Sequence, residues 1–225
     1  MNFVEELERV LPAELPNRAR VVDKAGQHLT LIVAANEHLN LTRITSPREA
    51  AIKHVLDSVL PWRLFAGAKK VVDAGSGPGF PGVPLSLVLP DVRFVLAESV
   101  QKKARFLDAA IEEMGLENVS VLPQRAEDVL RALKADTVTA RAVAPLSRAV
   151  GLFAPAVKAG TRALFYKGPD AETEIAEAAA EIKKSRMFLR LVDRYDLPDG
   201  LGTRTVVEMT RYGRLEDRHD SSRSD

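Results

Sequence analysis

The sequence predicts an α/β fold in which a helical N-terminal region precedes a mainly parallel, doubly wound sheet. Three observations support this prediction. Apolar residues in the first part of the chain recur at three- and four-residue steps, which is typical of helices. From about residue 69 onward, short strand-like runs alternate with helical segments. A turn rich in glycine and proline, residues 73–82, directly follows the first of these runs, and ligands bind beyond such strand ends.

The N-terminal region, residues 1–66, is expected to form a helical cap. The apolar face of its first helix consists of Val21, Val22, Ala25, Leu29, Ile32 and Val33. A second helix has Ser46 at its N-cap and Pro47 at its first position, and Glu49 is placed to complete a capping box. Pro61 ends this helix.

The domain that follows, residues 67–213, is expected to contain the sheet. We predict strands at residues 69–73, 91–98, 119–122, 137–143, 161–166, 188–195 and 203–210. Helices are predicted at residues 101–114, where Gly115 is a stop signal, and at residues 171–184. Asp199 and Gly200 join the last two strands. The polar tail at residues 214–225 is expected to be disordered.

Composition limits the chemistry that the chain can carry. Its 225 residues include no cysteine, which excludes a disulfide, a thiolate nucleophile and a cysteine-ligated metal. The four histidines are not spaced as metal ligands, so we expect no metal site. The net charge is +1, so a nucleic-acid partner needs a local basic patch. Without a membrane-length apolar run or a secretion signal, we expect a cytoplasmic protein that has no membrane partner and is a monomer.

The glycine-rich turn, which we call the glycine loop (residues 73–82), distinguishes between ligand classes. The dinucleotide pattern G-x-G-x-x-G fails, because Phe80 stands where a third glycine must follow Gly75 and Gly77. No Gly-Lys-Ser/Thr follows, so a Walker loop fails as well. Asp73 before the glycines Gly75, Gly77 and Gly79, together with the rigid prolines Pro78, Pro81 and Pro84, favours a ligand with an amino-acid end. S-adenosylmethionine is such a ligand, and a plain structural turn is the alternative.

Two further positions fit the same cofactor. Glu98 ends the second strand, where a carboxylate can accept both ribose hydroxyls. Ala126 and Glu127 follow the third strand and are placed to meet the adenine edge. The alternative for Glu98 is a strand-end acid that binds no ligand.

Several segments carry the motifs of a known family. They are Asn36-Glu37-His38-Leu39-Asn40-Leu41-Thr42, Lys53-His54-Val55-Leu56-Asp57-Ser58, the glycine loop with its Phe80-Pro81-Gly82 extension, residues 98–107, Arg125-Ala126-Glu127, Ala140-Arg141-Ala142 and Tyr166-Lys167-Gly168. Over roughly residues 20–210, the chain resembles the bacterial small-subunit ribosomal RNA guanine-N7 methyltransferases, the family of glucose-inhibited division protein B. The glycine loop alone indicates only a class I methyltransferase, whereas the combination is far more specific.

The resemblance implies a class I, Rossmann-like S-adenosylmethionine methyltransferase sheet with an N-terminal helical cap. It implies cofactor contacts at Gly75, Phe80, Ala126, Glu127 and Arg141. The implied product is 7-methylguanosine in the 530 loop of 16S ribosomal RNA. Either free 16S rRNA or the 30S subunit is the implied partner.

The residues agree with a ring-nitrogen acceptor. Nitrogen-7 of guanine carries an exposed lone pair, so methyl transfer there needs alignment and exclusion of water but no general base. The Asn-Pro-Pro-Tyr signature of amine methylation is missing after the fourth strand, and there is no cysteine for carbon-5 methylation of pyrimidines. Arg141 is expected to position the guanine or the cofactor. The alternative for Arg141 is an ion pair with Asp73 or Glu127.

A basic rim is expected around this site. Its candidate RNA contacts are Lys102, Lys103, Arg105, Arg125 and Lys167, with Arg43, Arg48 and His54 from the cap. Each of these cations is equally compatible with a solvated surface charge. His54 and Asp57 lie three residues apart on one helix and share a face, so we expect a hydrogen bond between them, whether it serves structure or function.

Three rival functions stay open from the sequence. The first is a methyltransferase of the same fold that acts on another RNA, a small molecule or a protein. The second is a nucleotide-dependent dehydrogenase, which the failed glycine spacing disfavours. The third is a non-catalytic ribosome-assembly factor that retains a cofactor pocket.

Overall fold

The computed structural model describes residues 2–212 and confirms an α/β fold built on one seven-stranded sheet. The strands are β1 (Lys70–Ala74), β2 (Arg93–Ala97), β3 (Val119–Leu122), β4 (Thr137–Arg141), β5 (Arg162–Lys167), β6 (Met187–Asp196) and β7 (Thr203–Arg211). Their order is β3-β2-β1-β4-β5-β7-β6. Strands β1 to β5 are parallel, whereas β7 runs antiparallel to both of its neighbours. The tail at residues 214–225 lies outside the described residues.

Helices cover both faces of the sheet. They are α1 (Phe3–Val10), α2 (Arg18–Leu39), α3 (Pro47–Ala50), α4 (Asp57–Val59), α5 (Gly82–Val88), α6 (Gln101–Met114), α7 (Ala126–Ala132), α8 (Leu146–Lys158), α9 (Ala171–Glu177) and α10 (Ala179–Ser185). A π-helical segment, Ala51–Leu56, joins α3 to α4. Short 3₁₀ turns occupy Trp62–Leu64 and Pro198–Gly200. Within residues 2–212, no helix combines the length and the apolar character needed to cross a membrane.

The N-terminal helices share one hydrophobic core with the sheet. Leu7 of α1, Ile32 of α2 and Ile52 of the π-helical segment pack in the same buried cluster as Val71 of β1 and Leu107 of α6. The cluster on the opposite face contains side chains of α7 to α10. Burying a side chain of this size stabilises a fold by about 1.5–3 kcal/mol. The helical cap is therefore held directly on the sheet, and its separation as a domain at residues 66/67 stays a prediction.

The predicted capping box is wrong. Ser46 is the N-cap of α3 and Pro47 follows it, as predicted, but the Ser46 side chain makes no capping hydrogen bond. Glu49 lies instead 2.7 Å from Lys53 Nζ, one helical turn further along. The long lysine side chain reaches the carboxylate on the outer face of the helix, so Glu49 does not turn back to the N-cap.

Two predicted element bounds also differ from the structure. The helix expected at residues 171–184 is two helices, which meet at the buried Ala178, where ψ is −1° and not the value of about −42° found in a regular α-helix. The fourth strand ends at Arg141 and not at residue 143. Ala142 adopts a left-handed conformation with φ +56°, which turns the chain away from the sheet.

Candidate functional site

The glycine loop leaves the carboxyl end of β1, where the first ligand contacts of a doubly wound sheet are expected. Gly75, Gly77 and Gly79 have φ values of +66°, +58° and +111°, a range that side chains with a Cβ rarely adopt. If residue 75 carried a Cβ, this atom would lie only 3.0 Å from Val143 Cγ2. Gly75 itself is exposed, so its backbone is open to a ligand.

Asp73 anchors the loop from beneath. Its side chain is fully buried, and its Oδ2 accepts a hydrogen bond from the Gly82 N–H at 2.9 Å, at the start of α5. Its Oδ1 has no hydrogen-bond partner among residues 2–212. Burial raises the pKa of Asp73 to about 6, although the bond from Gly82 opposes this shift. One buried acceptor atom therefore stays available directly below the loop.

Glu98 lies at the end of β2 and ties the glycine loop to the neighbouring strand. The residue is buried, with 5% of its surface exposed. Oε2 accepts a hydrogen bond from the Gly77 N–H at 2.9 Å, and Oε1 accepts one from the Val100 N–H at 2.7 Å. Each oxygen has a further lone pair. The carboxylate is thus held rigidly in place with acceptor capacity left over for a ligand.

Phe80 forms the centre of a cluster of rings and charge on the cap side of the loop. The His54 ring stacks on Phe80 with centroids 4.5 Å apart, and His28 lies 5.2 Å away in a tilted arrangement. The Arg141 guanidinium carbon is 5.4 Å from the Phe80 centroid, within the range of a cation–π contact. The structure therefore brings together Phe80 and Arg141, which the resemblance implies as cofactor contacts, and His54, a predicted RNA contact, and it adds His28.

Both histidines of this cluster are buried and uncharged near neutral pH. Burial lowers the pKa of His28 to about 4, and neither of its ring nitrogens has a hydrogen-bond partner among residues 2–212. The Pro78 carbonyl opposes this shift, although its geometry falls short of a hydrogen bond. Burial, and then the charge of Arg141, lower the pKa of His54 to about 3.

Arg141 is anchored on the cap. Its Nη1 donates to the Lys53 carbonyl at 2.9 Å and lies 3.2 Å from Asp57 Oδ2. The alternative for Arg141, an ion pair with Asp73 or Glu127, is therefore wrong. The carboxylate that Arg141 contacts is Asp57 of α4, in the cap. Lys53 belongs to the π-helical segment, a distortion that often marks functional sites.

The expected hydrogen bond between His54 and Asp57 is also wrong. His54 Nε2 lies 3.0 Å from Thr42 Oγ1, so the imidazole points away from the acid. Asp57 Oδ1 instead accepts from the Tyr195 hydroxyl at 3.1 Å. The Arg204 Nε lies 3.5 Å from Asp57 Oδ2. Asp57 thus connects the cap with the end of β4 and with the β6–β7 hairpin.

A cleft of about 840 Å³ opens beside Arg141, between the cap and the carboxyl ends of β4 and β5. We call it the cleft; its charged and aromatic lining consists of Lys53, His54, Asp57, Arg141, Tyr166, Lys167, Glu174, Glu177 and Arg204. Most of its cations already have a carboxylate partner. Lys167 Nζ lies 2.7 Å from Glu174, and Lys53 pairs with Glu49.

The predicted basic rim is only partly available. The side chains of Arg43, Lys102, Lys103 and Arg125 make no hydrogen bond or ion pair within residues 2–212, and all except the half-buried Lys103 are exposed. Arg48 is different, because its guanidinium contacts Asp199 and Glu6. Lys167 and His54 have partners as well. These three residues are therefore not free cations at the surface.

Besides His28, sequence reasoning missed four residues at this site. Tyr195, Arg204, Tyr166 and Thr42 all contact groups of the cap or the cleft. Tyr166 and Lys167 both belong to one of the family segments, but the sequence predicts a role, as an RNA contact, only for Lys167. Tyr195 and Arg204 lie opposite each other in the β6–β7 register and carry no local signal. Only the antiparallel hairpin brings them to the cleft.

Comparison with known proteins supports one family. A family model described as GidB, rRNA small subunit methyltransferase G, matches residues 22–197. The Ribosomal RNA small subunit methyltransferase G of Solibacter usitatus (strain Ellin6076) is 65% identical over 209 residues, covering 93% of this chain and 100% of that protein. The protein of the same name from Sorangium cellulosum (strain So ce56) is 43% identical over 211 residues, covering 89% and 84%.

Solved structures support the fold. An O-methyltransferase from Bacillus cereus, solved in complex with SAH, matches with a TM-score of 0.56 and 17% sequence identity. The match covers 82% of this chain and 90% of that one. At this identity the match shows a shared architecture and says nothing about the acceptor.

Proposed function

The chain belongs to the family described as rRNA small subunit methyltransferase G and is an S-adenosylmethionine-dependent rRNA methyltransferase; we propose that it methylates nitrogen-7 of a guanine in the 530 loop of 16S rRNA. The resemblance and one structural observation support nitrogen-7 of this guanine as the methylated atom. The buried acid that lines the cleft, Asp57, is committed to Arg141. A cleft whose buried acid is already paired with an arginine suits an acceptor nitrogen that carries no proton to remove.

The residues of the glycine loop fit the cofactor. The exposed backbone at Gly75 lies in a cradle that a Cβ would fill, and Asp73 Oδ1 is a buried acceptor without a partner among residues 2–212. We assign to Glu98 the ribose hydroxyls, and to Ala126 and Glu127, at the start of α7, the adenine edge. Gly77, Gly79 and Phe80 complete the proposed contacts. When bound, S-adenosylmethionine supplies an activated methyl group on its sulfonium.

Arg141 is proposed to orient the guanine against that methyl group. Its Nη1 is used by Lys53 and Asp57, whereas its Nε and Nη2 have no hydrogen bond within residues 2–212. Free guanidinium donors match the O6 and nitrogen-7 edge of guanine or a phosphate. Because Arg141 is held at Nη1 and packed on Phe80, it loses little freedom when it binds, which lowers the cost of alignment.

The free cations Arg43, Lys102, Lys103 and Arg125 are proposed to contact RNA phosphates around the site. For Arg48, His54 and Lys167, we propose that they shape the site through their partners within the protein. Cytoplasmic localisation and a monomeric state stay predictions.

Methyl transfer with labelled cofactor tests the proposal. Wild-type protein is incubated with 30S subunits, free 16S rRNA and tRNA, and the labelled nucleoside is identified by mass spectrometry after nuclease digestion. We expect 7-methylguanosine in the 530 loop of 16S rRNA, and comparing 30S subunits with free RNA shows which form is the substrate. Arg141→Lys, which keeps the charge but loses the planar fork, is expected to lower kcat at least tenfold.

Other outcomes reject the proposal in distinct ways. Label on tRNA, on protein, or on a different atom of 16S rRNA means that the acceptor is misassigned. Absence of label from every substrate, with cofactor binding retained, favours a non-catalytic assembly factor.

A further inference from the structure

A second groove lies at the opposite end of the sheet from the cleft. Its volume is about 940 Å³, and it is formed by the end of α8, by α9 and α10, by the start of β6 and by the end of β7. We call it the basal groove. Its apolar floor consists of Ile175, Ile182 and Met187. Four cations surround this floor, namely Lys158, Lys183, Arg186 and Arg211, and Tyr212 stands beside them.

The charges of the basal groove are not balanced. All four cations are exposed, and none forms a side-chain hydrogen bond or ion pair with another residue in the described part of the chain. None of the described residues that line the groove is acidic. The whole chain has 32 basic and 31 acidic residues, so a local group of four cations without an acid is an uneven distribution. Such a patch attracts a polyanion.

Two details of local structure separate this patch from a solvated surface. Tyr212 is 75% exposed, at the end of β7, beside the apolar floor. An exposed aromatic ring next to unpaired cations is the combination on which unstacked bases lie while their phosphates are neutralised. Arg186 ends α10 with φ +56°, a conformation that glycine adopts without strain. An arginine there places a guanidinium at the rim at some conformational cost.

We propose that the basal groove is a second RNA-binding surface, which holds the phosphate backbone and an unstacked base of the same rRNA substrate, far from the methylated guanine. The occupant rests on the rRNA methyltransferase activity, and charge complementarity is the argument for RNA. Strand β7 gives the separation. Arg204 lines the cleft and Arg211 lines the groove, seven residues apart along one strand, which is about 24 Å at 3.4 Å per residue.

The separation determines what the groove does. A contact about 24 Å away does not touch the reacting atoms, so we expect its binding energy to be equal in the ground state and the transition state. Binding of this uniform kind lowers KM without raising kcat. Binding at two linked points makes the second contact intramolecular and strengthens the whole complex. The groove therefore acts on KM for the RNA and not on kcat.

The main test is the double variant Lys183→Gln/Arg211→Gln, assayed by methyl transfer to 30S subunits and to protein-free 16S rRNA over a range of salt concentrations. We expect KM for both substrates to rise about tenfold, while kcat and S-adenosylhomocysteine affinity stay within twofold of wild type. The slope of log KM against log salt is expected to fall by about 1.4–1.8, since two phosphate contacts are removed and each contributes about 0.7–0.9. A merely structural role does not change this slope.

The matched control is Arg93→Gln/Lys134→Gln. It removes the same charge from two exposed cations near the same end of the sheet, which do not line the groove and have no side-chain partner within residues 2–212. We expect wild-type KM and slope. Tyr212→Ala is expected to raise KM about fivefold without changing the salt slope, and Tyr212→Phe is expected to restore it, because stacking needs the ring and not the hydroxyl.

Three results overturn the proposal. One is wild-type KM and salt slope for Lys183→Gln/Arg211→Gln. The second is a defect with 30S subunits but not with protein-free 16S rRNA, which means that a ribosomal protein occupies the groove. The third is a wild-type dimer in light scattering that the double variant abolishes, which means that a second copy of the chain covers it.

Failure of the methylation assignment is a separate outcome. The site of methylation by the wild-type protein measures that assignment. The role of the groove is tested by the KM of the double variant relative to that of the wild type. Direct binding of 16S rRNA, measured by filter retention, tests it as well. A wild-type protein that methylates a different nucleotide leaves the groove test fully interpretable.

Discussion

The glycine loop and the cleft lie side by side, yet they are held in different ways. The loop is held by two carboxylates, Asp73 and Glu98, that accept hydrogen bonds from backbone N–H groups. The cleft is held by ion pairs between elements far apart in the chain, of which Arg141 with Asp57 is the most buried. Backbone geometry therefore controls the first region, and long-range electrostatics controls the second. Substitutions that damage one region should leave the other largely intact.

The largest effect is expected from a substitution that disrupts the glycine loop and leaves the cleft intact. Gly75→Val places a branched side chain at φ +66° and within 3.0 Å of Val143 Cγ2. We expect the affinity for S-adenosylhomocysteine in calorimetry to fall at least 100-fold, with an unchanged circular dichroism spectrum. The control is Gly67→Val, where a Cβ meets no atom within 4 Å. Retained affinity in Gly75→Val would mean that the cofactor binds elsewhere.

The next largest effect is expected from a substitution that removes the ion pairs of the cleft and leaves the glycine loop intact. Asp57→Asn leaves Arg141 and Arg204 without their buried counter-charge, while the Tyr195 hydroxyl keeps an acceptor. Removing one partner of a buried ion pair costs about 3 kcal/mol of unfolding free energy. Urea denaturation measures this loss. A change below about 1 kcal/mol would show that solvent screens the pair and that the cleft is not held by it.

Protonation probes the ring cluster that lies between the two regions. The pKa values of His28 and His54 are lowered to about 4 and about 3, so the unfolded state, with a pKa near 6.5, binds more protons than the folded state does. The stability that these groups contribute is full above that pKa and falls as the pH decreases. From pH 7.5 to pH 6, we expect the unfolding free energy to decrease by about 1 kcal/mol.

The contribution of Asp73 to stability changes with pH in the direction opposite to that of the histidines. Its pKa is raised to about 6, so its contribution is full below about 3.8 and is lost as the pH rises through 6. At pH 6 Asp73 is about half protonated in the folded state, so it offsets part of the histidine effect, and the decrease of about 1 kcal/mol is the net change. His28→Leu is expected to remove more than half of this decrease in urea titrations at pH 7.5 and pH 6. An unchanged pH dependence in this variant would show that His28 is not the titrating group.

The smallest effect is expected at the exposed ion pair on the cap. Glu49 and Lys53 lie one helical turn apart with side chains that are 38% and 28% exposed. Glu49→Gln is expected to cost at most about 0.5 kcal/mol in urea denaturation, because solvent screens the pair. A loss of unfolding free energy as large as that of Asp57→Asn would show that the exposed pair stabilises the protein as much as the buried pair does.

Much of the fold and of the loop was predictable, because both depend on residues that are close in sequence. The glycine spacing that excludes a dinucleotide lies within ten residues, and the alternation of strands and helices predicted the parallel sheet. The local errors have local causes. Glu49 forms an ion pair with Lys53, one helical turn away, and the positive φ of Ala142 ends the strand. Neither outcome is encoded in hydrophobic periodicity.

The sequence by itself determined the fold class, the glycine loop and, through the absence of cysteine, a set of excluded chemistries. Only the tertiary structure decided the partner of Arg141, which is 84 residues away at Asp57, and the contact of Tyr195 with the same acid from 138 residues away. It also decided that the cations of the cleft are mostly paired, while those of the basal groove have no side-chain partner among residues 2–212. The physical reason is that backbone conformation follows from neighbouring residues, whereas an ion pair exists only where folding brings two elements together.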